Sequence, residues 1–267
     1  MVNAVLNPLR SLIARRELIG ELISRELRDR HTGQVLGVLW AYGHPLALML
    51  LYMVLFAYVF PARFGEGASI SDYSVNVLAG IVPWLAFQDI LARSPTIIVG
   101  HASLVKQIAF PTEVLPIKTA LASAMPYSVG LIFAIGYAWW HGTLSVMALT
   151  IPLLVILQLM AMMGTAFLLS ALGVYLRDIR DIVSVFTSFN LFAQPILYNP
   201  FATPEFLQWV FVPNPFSYLT WCWQDALFHG SFYHPAAWII FPIGSVLTLV
   251  IGWIVFEQTH HHFGDEL

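Results

Sequence analysis

The sequence predicts an all-α membrane protein of six transmembrane helices, with an N-terminal amphipathic interface helix, short re-entrant or interfacial helices before the last span, and both termini cytoplasmic. Three observations carry this expectation. Of 267 residues, 58% are hydrophobic and 10% charged, with a mean hydropathy of +0.75, whereas a soluble domain is roughly 25% charged. Several apolar runs approach or exceed the ~20 residues that cross a bilayer as a helix. The twelve Lys and Arg residues are lopsided, six before residue 31 and none after Arg180. The net charge of -3 averages over surfaces in different environments and says little of partners.

The expected spans run over 38–60, 73–98, 114–139, 145–173, 182–199 and 238–257, within one domain covering residues 1–267. The second carries Pro83, Pro95, Asp89 and Arg93 within it, and Asp89 and Arg93, at i,i+4 spacing, can neutralise each other. Ahead of the spans, residues 8–30 place Leu9, Leu12, Ile13, Ile19, Leu22, Ile23 and Leu27 at helical spacing, with Arg and Glu on the remaining face. Such a helix lies in the membrane interface, as an anchor or as a surface that also meets a cytoplasmic partner. Gly33 and Gly37 then let the chain turn into the first span. Between the last two spans, residues 200–237 are too apolar for a free loop, and their helix-like pieces at 204–212 and 215–229 are too short to span, with Asn214 and Pro215 between them.

Sidedness follows from the cations. Arg10, Arg15, Arg16, Arg25, Arg28 and Arg30 precede the first span; Arg93, Lys106 and Lys118 surround the second connection; Arg177 and Arg180 fill the fourth; and Arg63 alone lies in an odd-numbered loop. Retention of basic residues on the cytoplasmic side places both ends inside. The opening MVNAVLNPLRSLIARREL lacks the continuous apolar core of a signal peptide, so the mature chain is expected to begin at or near Met1.

Catalytic and cofactor motifs are missing from the sequence. The two lysines, Lys106 and Lys118, follow Val105 and Ile117, so no Gly-Lys-Ser/Thr phosphate loop exists. No HExxH, CxxC, GxGxxG or GxSxG pattern occurs, and Cys222 is the single cysteine. His260, His261 and His262 are consecutive and diverge on a helix, so no metal site is expected. The fifth span is more informative: Ser184, Thr187, Asn190 and Gln194 share one helical face, with Tyr198 at its outer end. That polar stripe is compatible with hydrogen bonds between packed helices or with the wall of a hydrophilic conduit. Trp84, Phe87, Trp209, Trp221 and Trp223 gather toward the outer boundary, where aromatic rings serve as interfacial anchors or as stacking surfaces for sugars.

Ordered motifs narrow these alternatives. Leu27-Arg28-Asp29-Arg30-His31-Thr32-Gly33-Gln34-Val35-Leu36-Gly37-Val38-Leu39-Trp40 with Pro45-Leu46 resembles the entry signature of the polysaccharide-export permeases of the ABC-2 transporter family. Ala79-Gly80-Ile81-Val82-Pro83-Trp84 resembles that family's second span, and Leu104 through Phe110-Pro111 to Pro116 its coupling segment. Arg177-Asp178-Ile179, Gln194-Pro195-Ile196-Leu197-Tyr198, Asn214-Pro215-Phe216 and the terminal Phe263-Gly264-Asp265-Glu266-Leu267 are similar as well. Gln194 stands where the family often has Ser, and His31 where a smaller residue is common.

The resemblance implies a non-catalytic permease of the bacterial inner membrane that pairs with a second copy of itself and with two copies of a cytoplasmic ABC ATPase. ATP and Mg would be held by the ATPase, and no cofactor by this chain. The implied cargo is a lipid-linked polysaccharide, capsular or O-antigen, and no nucleic acid is a partner. Arg15, Arg16, Arg25, Leu104, Lys106, Gln107 and Phe110 are the implied ATPase-coupling residues. Trp84, Phe87, Ser184, Thr187, Asn190, Gln194 and Tyr198 are the expected lining of the substrate path. An ABC-2 exporter of teichoic acid, lipid or drug, or an ion-coupled carrier, is the alternative.

Overall fold

The computed structural model describes residues 13–30, 32–37, 39–55, 70–106, 110–198 and 205–267, and all regular structure among them is helical. Arg10, His31, Arg63, Gln107 and the last residues of the first expected span, 56–60, lie outside the described residues. The helices are α1 (Arg16–Asp29), α2 (Leu39–Val54), α3 (Ile70–Arg93), α4 (Ala102–Val105), α5 (Val114–Trp140), α6 (Ile151–Tyr175), α7 (Ile179–Asn190), α8 (Glu205–Phe211), α9 (Pro215–Gln224), α10 (Ala237–Thr259) and α11 (Phe263–Glu266). Among the described residues, four stretches are long and apolar enough to cross a membrane: Tyr73–Thr96, Val114–Trp140, Val146–Tyr175 and Ala237–Glu266. They coincide with four of the six expected spans, and α2 supplies a shorter apolar helix at the first.

Helix α3 lies at the centre and packs against α2, α5, α6, α7 and α9. Its residues from Val75 to Val82 are buried, as are Trp84, Leu85, Ala86 and Phe87. This explains why its sequence is apolar around the whole circumference. Pro83 sits inside it, and Gln158 of α6 donates to the Pro83 carbonyl at 2.9 Å while accepting from Trp223 Nε1 at 3.0 Å. A single side chain thereby joins three helices at a point where proline interrupts regular hydrogen bonding.

Helix α1 follows its expected amphipathic pattern, and its apolar stripe, Ile19, Ile23 and Leu27, is buried with the helix packed on α5. Gly33 and Gly37 turn the chain from α1 into α2 with φ of 84° and 50°, a conformation that side chains with a Cβ rarely adopt.

The segment expected to span over 182–199 takes a different form. Helix α7 ends at Asn190, so its twelve residues rise about 18 Å, and residues 191–198 continue as turns. Pro195 offers no N–H and disfavours helical geometry at Gln194, which is why the apolar run does not remain helical. The two pieces expected in 200–237 are present as α8 and α9, and α9 runs on into a π-helical turn at Asp225–His229.

Side-chain ties define two ends of the bundle. Residues 26–30, 89–93 and 113–118 meet at one end, and His260, His261 and Asp265 share a cavity there with Lys106 and Glu113. Thr143 meets the Leu227 carbonyl at the opposite, aromatic end, and Asn214 reaches Ala193 between the two ends, close to the middle of α3.

Helices α6 and α10 approach at backbone contact. A Cβ on Gly252 would lie 2.0 Å from the Gly164 carbonyl oxygen, and one on Gly164 would lie 2.4 Å from the Leu249 backbone nitrogen. Small residues let membrane helices pack this closely. Gly252→Leu is therefore expected to destabilise the protein by about 3 kcal/mol, the upper part of the overpacking range. Gly244→Leu, a position with nothing within 4 Å, is expected to leave thermal unfolding in detergent unchanged. Equal Tm values for the two variants would refute this assignment.

Candidate functional site

Two polar constellations stand out in the apolar bundle, one at the charged end and one around the break after α7. At the charged end, Glu26 of α1 pairs with Lys118 of α5 at 2.6 Å and with Arg30 at 2.5 Å. Arg30 also reaches Asp89 of α3 at 3.3 Å, and Asp89 holds Arg93 at 2.9 Å. His101 Nε2 lies 3.1 Å from the Lys118 ammonium, and Arg15 meets Glu113 at 2.6 Å. The Lys118 side chain is only 4% exposed, so its charge is compensated within the fold. Burial raises the Glu26 pKa, but the attraction and hydrogen bonds of Lys118 and Arg30 outweigh it and hold the carboxyl below its ordinary value.

Beside this network lies a cavity of 310 Å³ whose lining includes Arg30, Gln34, Trp40, His44, Asp89 and Tyr127. Its cationic walls can take an anion only in competition with Asp89, which already engages Arg30 and Arg93.

Beside the middle of α3, the break after α7 is stabilised by side chains of α9 and its cap. Asn214 donates to Asn190 Oδ1 at 2.7 Å and to the Ala193 carbonyl at 2.8 Å, and its own oxygen caps α9 by accepting from Phe216 N–H at 3.0 Å. Thr220 donates to Gln194 Oε1 at 3.0 Å, and Gln224 donates to the Pro195 carbonyl at 2.8 Å. Backbone carbonyls freed by the broken helix thus find partners without water. Gly80 of α3 lets this seam close, because a Cβ there would lie 3.0 Å from Thr220 and 3.1 Å from Ile196. Among the described residues, no hydrogen-bond partner reaches Trp84 Nε1, the Asn76 amide, Gln194 Nε2 or Ser217 Oγ around the same helices.

The expected path residues fall in different settings. Trp84 and Phe87 are buried and make edge-to-face contacts with Phe216, with centroids 5.3 Å and 5.0 Å apart. Thr187, Asn190 and Gln194 are buried in the seam, whereas Ser184 is exposed. Tyr198 is half-buried and donates to the Phe192 carbonyl at 3.0 Å. The exposed residues of α7 include the apolar Ile182, Val185 and Phe189 beside Ser184 and Ser188, and Phe192 follows in the turns.

Of the expected coupling residues, Arg16, Arg25 and Lys106 are exposed, and Leu104 and Phe110 half-buried. Among the described residues Arg25 meets only Asp29, at 3.5 Å, but Arg15 is engaged with Glu113 inside the chain. Sequence reasoning missed Glu26 as the acid that neutralises Lys118. It also missed Thr220 and Gln224 as supports of the α7 break. The signal was available: polar residues on an otherwise apolar α9 require partners, and the helix break that Pro195 favours frees backbone carbonyls for them.

Asn214→Ala removes both bonds donated to the break and one helix cap, and is expected to cost about 2–3 kcal/mol in thermal unfolding. Glu26→Gln is expected to cost about 3–5 kcal/mol by leaving Lys118 buried without its carboxylate. Because the folded Glu26 carboxyl is held below its ordinary value of 4.5, its stabilisation is present above that pH. It is lost as pH falls from there through the folded pKa, and the Gln variant lacks that part of the acid sensitivity. Identical unfolding profiles for the two proteins between pH 7 and pH 3 would contradict the pairing.

Comparison with known proteins agrees with this architecture. The chain is 24% identical over 253 residues to an O-antigen export system permease protein RfbA of Klebsiella pneumoniae, covering 94% of this chain and 95% of the relative. A second protein of that name from Klebsiella pneumoniae is 23% identical over 261 residues, with coverage of 94% and 95%. One from Myxococcus xanthus is 29% identical over 196 residues, 71% of each chain. Together with the apolar helices, these likenesses make the chain a multi-pass protein of the inner membrane. The residue pattern of the ABC-2 type transporter matches residues 17–228, and the chain belongs to that family.

Proposed function

We propose that this chain is the permease subunit of an ATP-driven exporter of lipid-linked polysaccharide, working as a pair of identical subunits with two copies of a separate ABC ATPase. The observation that carries this reading is the geometry of the charged end. Exposed Lys106 follows the short helix α4 and lines a cavity of about 510 Å³ with Glu113, His260, His261 and Asp265. A short exposed lever beside the chain's C-terminal segment suits docking of a soluble partner. The sequence has no phosphate loop, so ATP and Mg belong to that partner, and the permease performs no chemistry of its own.

The charged end is then cytoplasmic, since basic residues stay on that side. Because α1 and α11 both lie at this end, the number of crossings is even. Four long helices, α2, and α7 with its following turns supply six. The aromatic end faces outward, and the mid-bundle seam of Trp84, Phe87, Asn190, Gln194 and Ser217 is a closed form of the glycan path. The apolar faces of α7 and α2 meet lipid and the second subunit. O-antigen is the cargo class favoured over capsule, because relatives covering almost the whole chain carry that name.

Lys106→Glu is expected to reduce co-purification of the ATPase with the permease by roughly an order of magnitude. Desolvated charge pairs at interfaces cost about 2–5 kcal/mol when broken, and charge reversal adds repulsion. Membrane insertion of the variant should be unchanged. Normal complex yield and normal surface polysaccharide in that variant would remove the coupling assignment.

A further inference from the structure

We propose that Asp225, His229 and His234 form a zinc-binding site at the aromatic end, an inference independent of the exported cargo. Asp225 opens the π-helical turn that follows α9, and the wider turn closes through Gly230 N–H to the Asp225 carbonyl at 2.9 Å. Gly230, with φ of 65°, reverses the chain so that His234 returns to Asp225. One donor atom from each of the three side chains lies within 4.8 Å of the other two.

The carboxylate is prepared for a ligand role. Asp225 is wholly buried, and its Oδ2 accepts from the His234 backbone N–H and from Trp238 Nε1, both at 3.0 Å. These two donors fix the carboxylate and leave Oδ1 directed at His234 Nδ1, 2.8 Å away. A metal ion at this point replaces the proton that the pair shares. His229, four residues after Asp225, is held by stacking on Tyr233 with centroids 4.3 Å apart.

Two imidazoles and one carboxylate form a borderline nitrogen and oxygen set that suits Zn²⁺ rather than Ca²⁺ or Mg²⁺, which require mostly oxygen ligands. Tetrahedral zinc with ligand distances near 2.0–2.1 Å separates its donors by about 3.4 Å. Rotation of the half-buried His229 brings the third donor in, and a fourth position stays open for water. The ion would clip the end of α9 to the start of α10.

The experiment titrates ZnCl₂ into the metal-stripped full-length chain in detergent by competition with a zinc chromophore. It uses a background in which His260, His261 and His262 are Ala, so that the terminal cluster cannot contribute. One Zn²⁺ per chain is expected, with His229→Ala and His234→Ala each weakening it at least roughly tenfold. Trp238→Phe, which removes the hydrogen bond donated to Asp225 Oδ2, should weaken it roughly 10- to 100-fold. His229→Ala leaves the Asp225–His234 contact in place, so an unchanged elution profile separates lost ligation from lost folding. Absence of stoichiometric zinc in the background protein, or undiminished binding in both histidine variants, would overturn the site and leave Asp225–His234 as a hydrogen-bonded clasp.

Discussion

The rest of the structure depends on one constraint: a polar group taken into this apolar bundle must find its partner within the protein. Burying an uncompensated charge or carbonyl costs several kcal/mol. At the charged end, the constraint is met by Glu26, which joins α1 to α5 through Lys118 while Arg30 joins α1 to α3 through Asp89. At the break after α7, it is met by Asn214, Thr220 and Gln224, which complete the interrupted helix. Hydrophobic burial fills the space between the ends. It does not by itself choose how α1 or α7 is aligned, because apolar contacts are non-directional.

Helix α3 connects the two arrangements. Its C-terminal turn carries Asp89 and Arg93, and its middle carries Gly80 and Trp84 against the broken segment and α9. A change in the pairing of Arg30 with Asp89 therefore acts on the same helix whose displacement would open the Gly80 contact. Such coupling needs no further relay, since a packed helix transmits displacement along its length. It also gives a physical role to the unsatisfied donors near Trp84 and Gln194, which would gain partners if the seam admitted water or a hydroxylated cargo.

Much of the fold was legible because apolar run length has one dominant interpretation above about 20 residues. Helices α5, α6 and α10 agree with their expected bounds within a few residues, and α1 shows its stripe in the spacing of Ile19, Ile23 and Leu27. The α7 region was harder to read. Its apolar content suggested continuation to residue 199, but Pro195 and the buried seam made a break stable. The candidate site was less legible than the fold. The polar stripe Thr187, Asn190 and Gln194 was visible, yet its direction depended on α9, more than twenty residues away. Likewise, Arg15 and Lys118 counted as inward-facing charges, and only tertiary contact revealed that Glu113 and Glu26 hold them. Sequence spacing reports which residues share a helical face. It does not report what that face meets.

The glycine contact between α6 and α10 limits where motion can occur. Gly164 and Gly252 bring the two backbones together, and Gly173 brings α6 equally close to the Pro95 carbonyl, where a Cβ would sit at 2.0 Å. Interfaces without intervening side chains cannot accommodate approach or rotation by changing rotamers. Helices α6 and α10 and the Ser94–Thr96 turn therefore move as one body. The freedom that remains lies with elements joined through side chains: α1 through Glu26 and Arg30, α7 through Asn190, and α9 through Thr220 and Gln224. Those are also the elements that carry the charges at one end and line the aromatic seam beside the middle of α3. The division between backbone contact and side-chain contact thus separates a fixed frame from the parts able to rearrange.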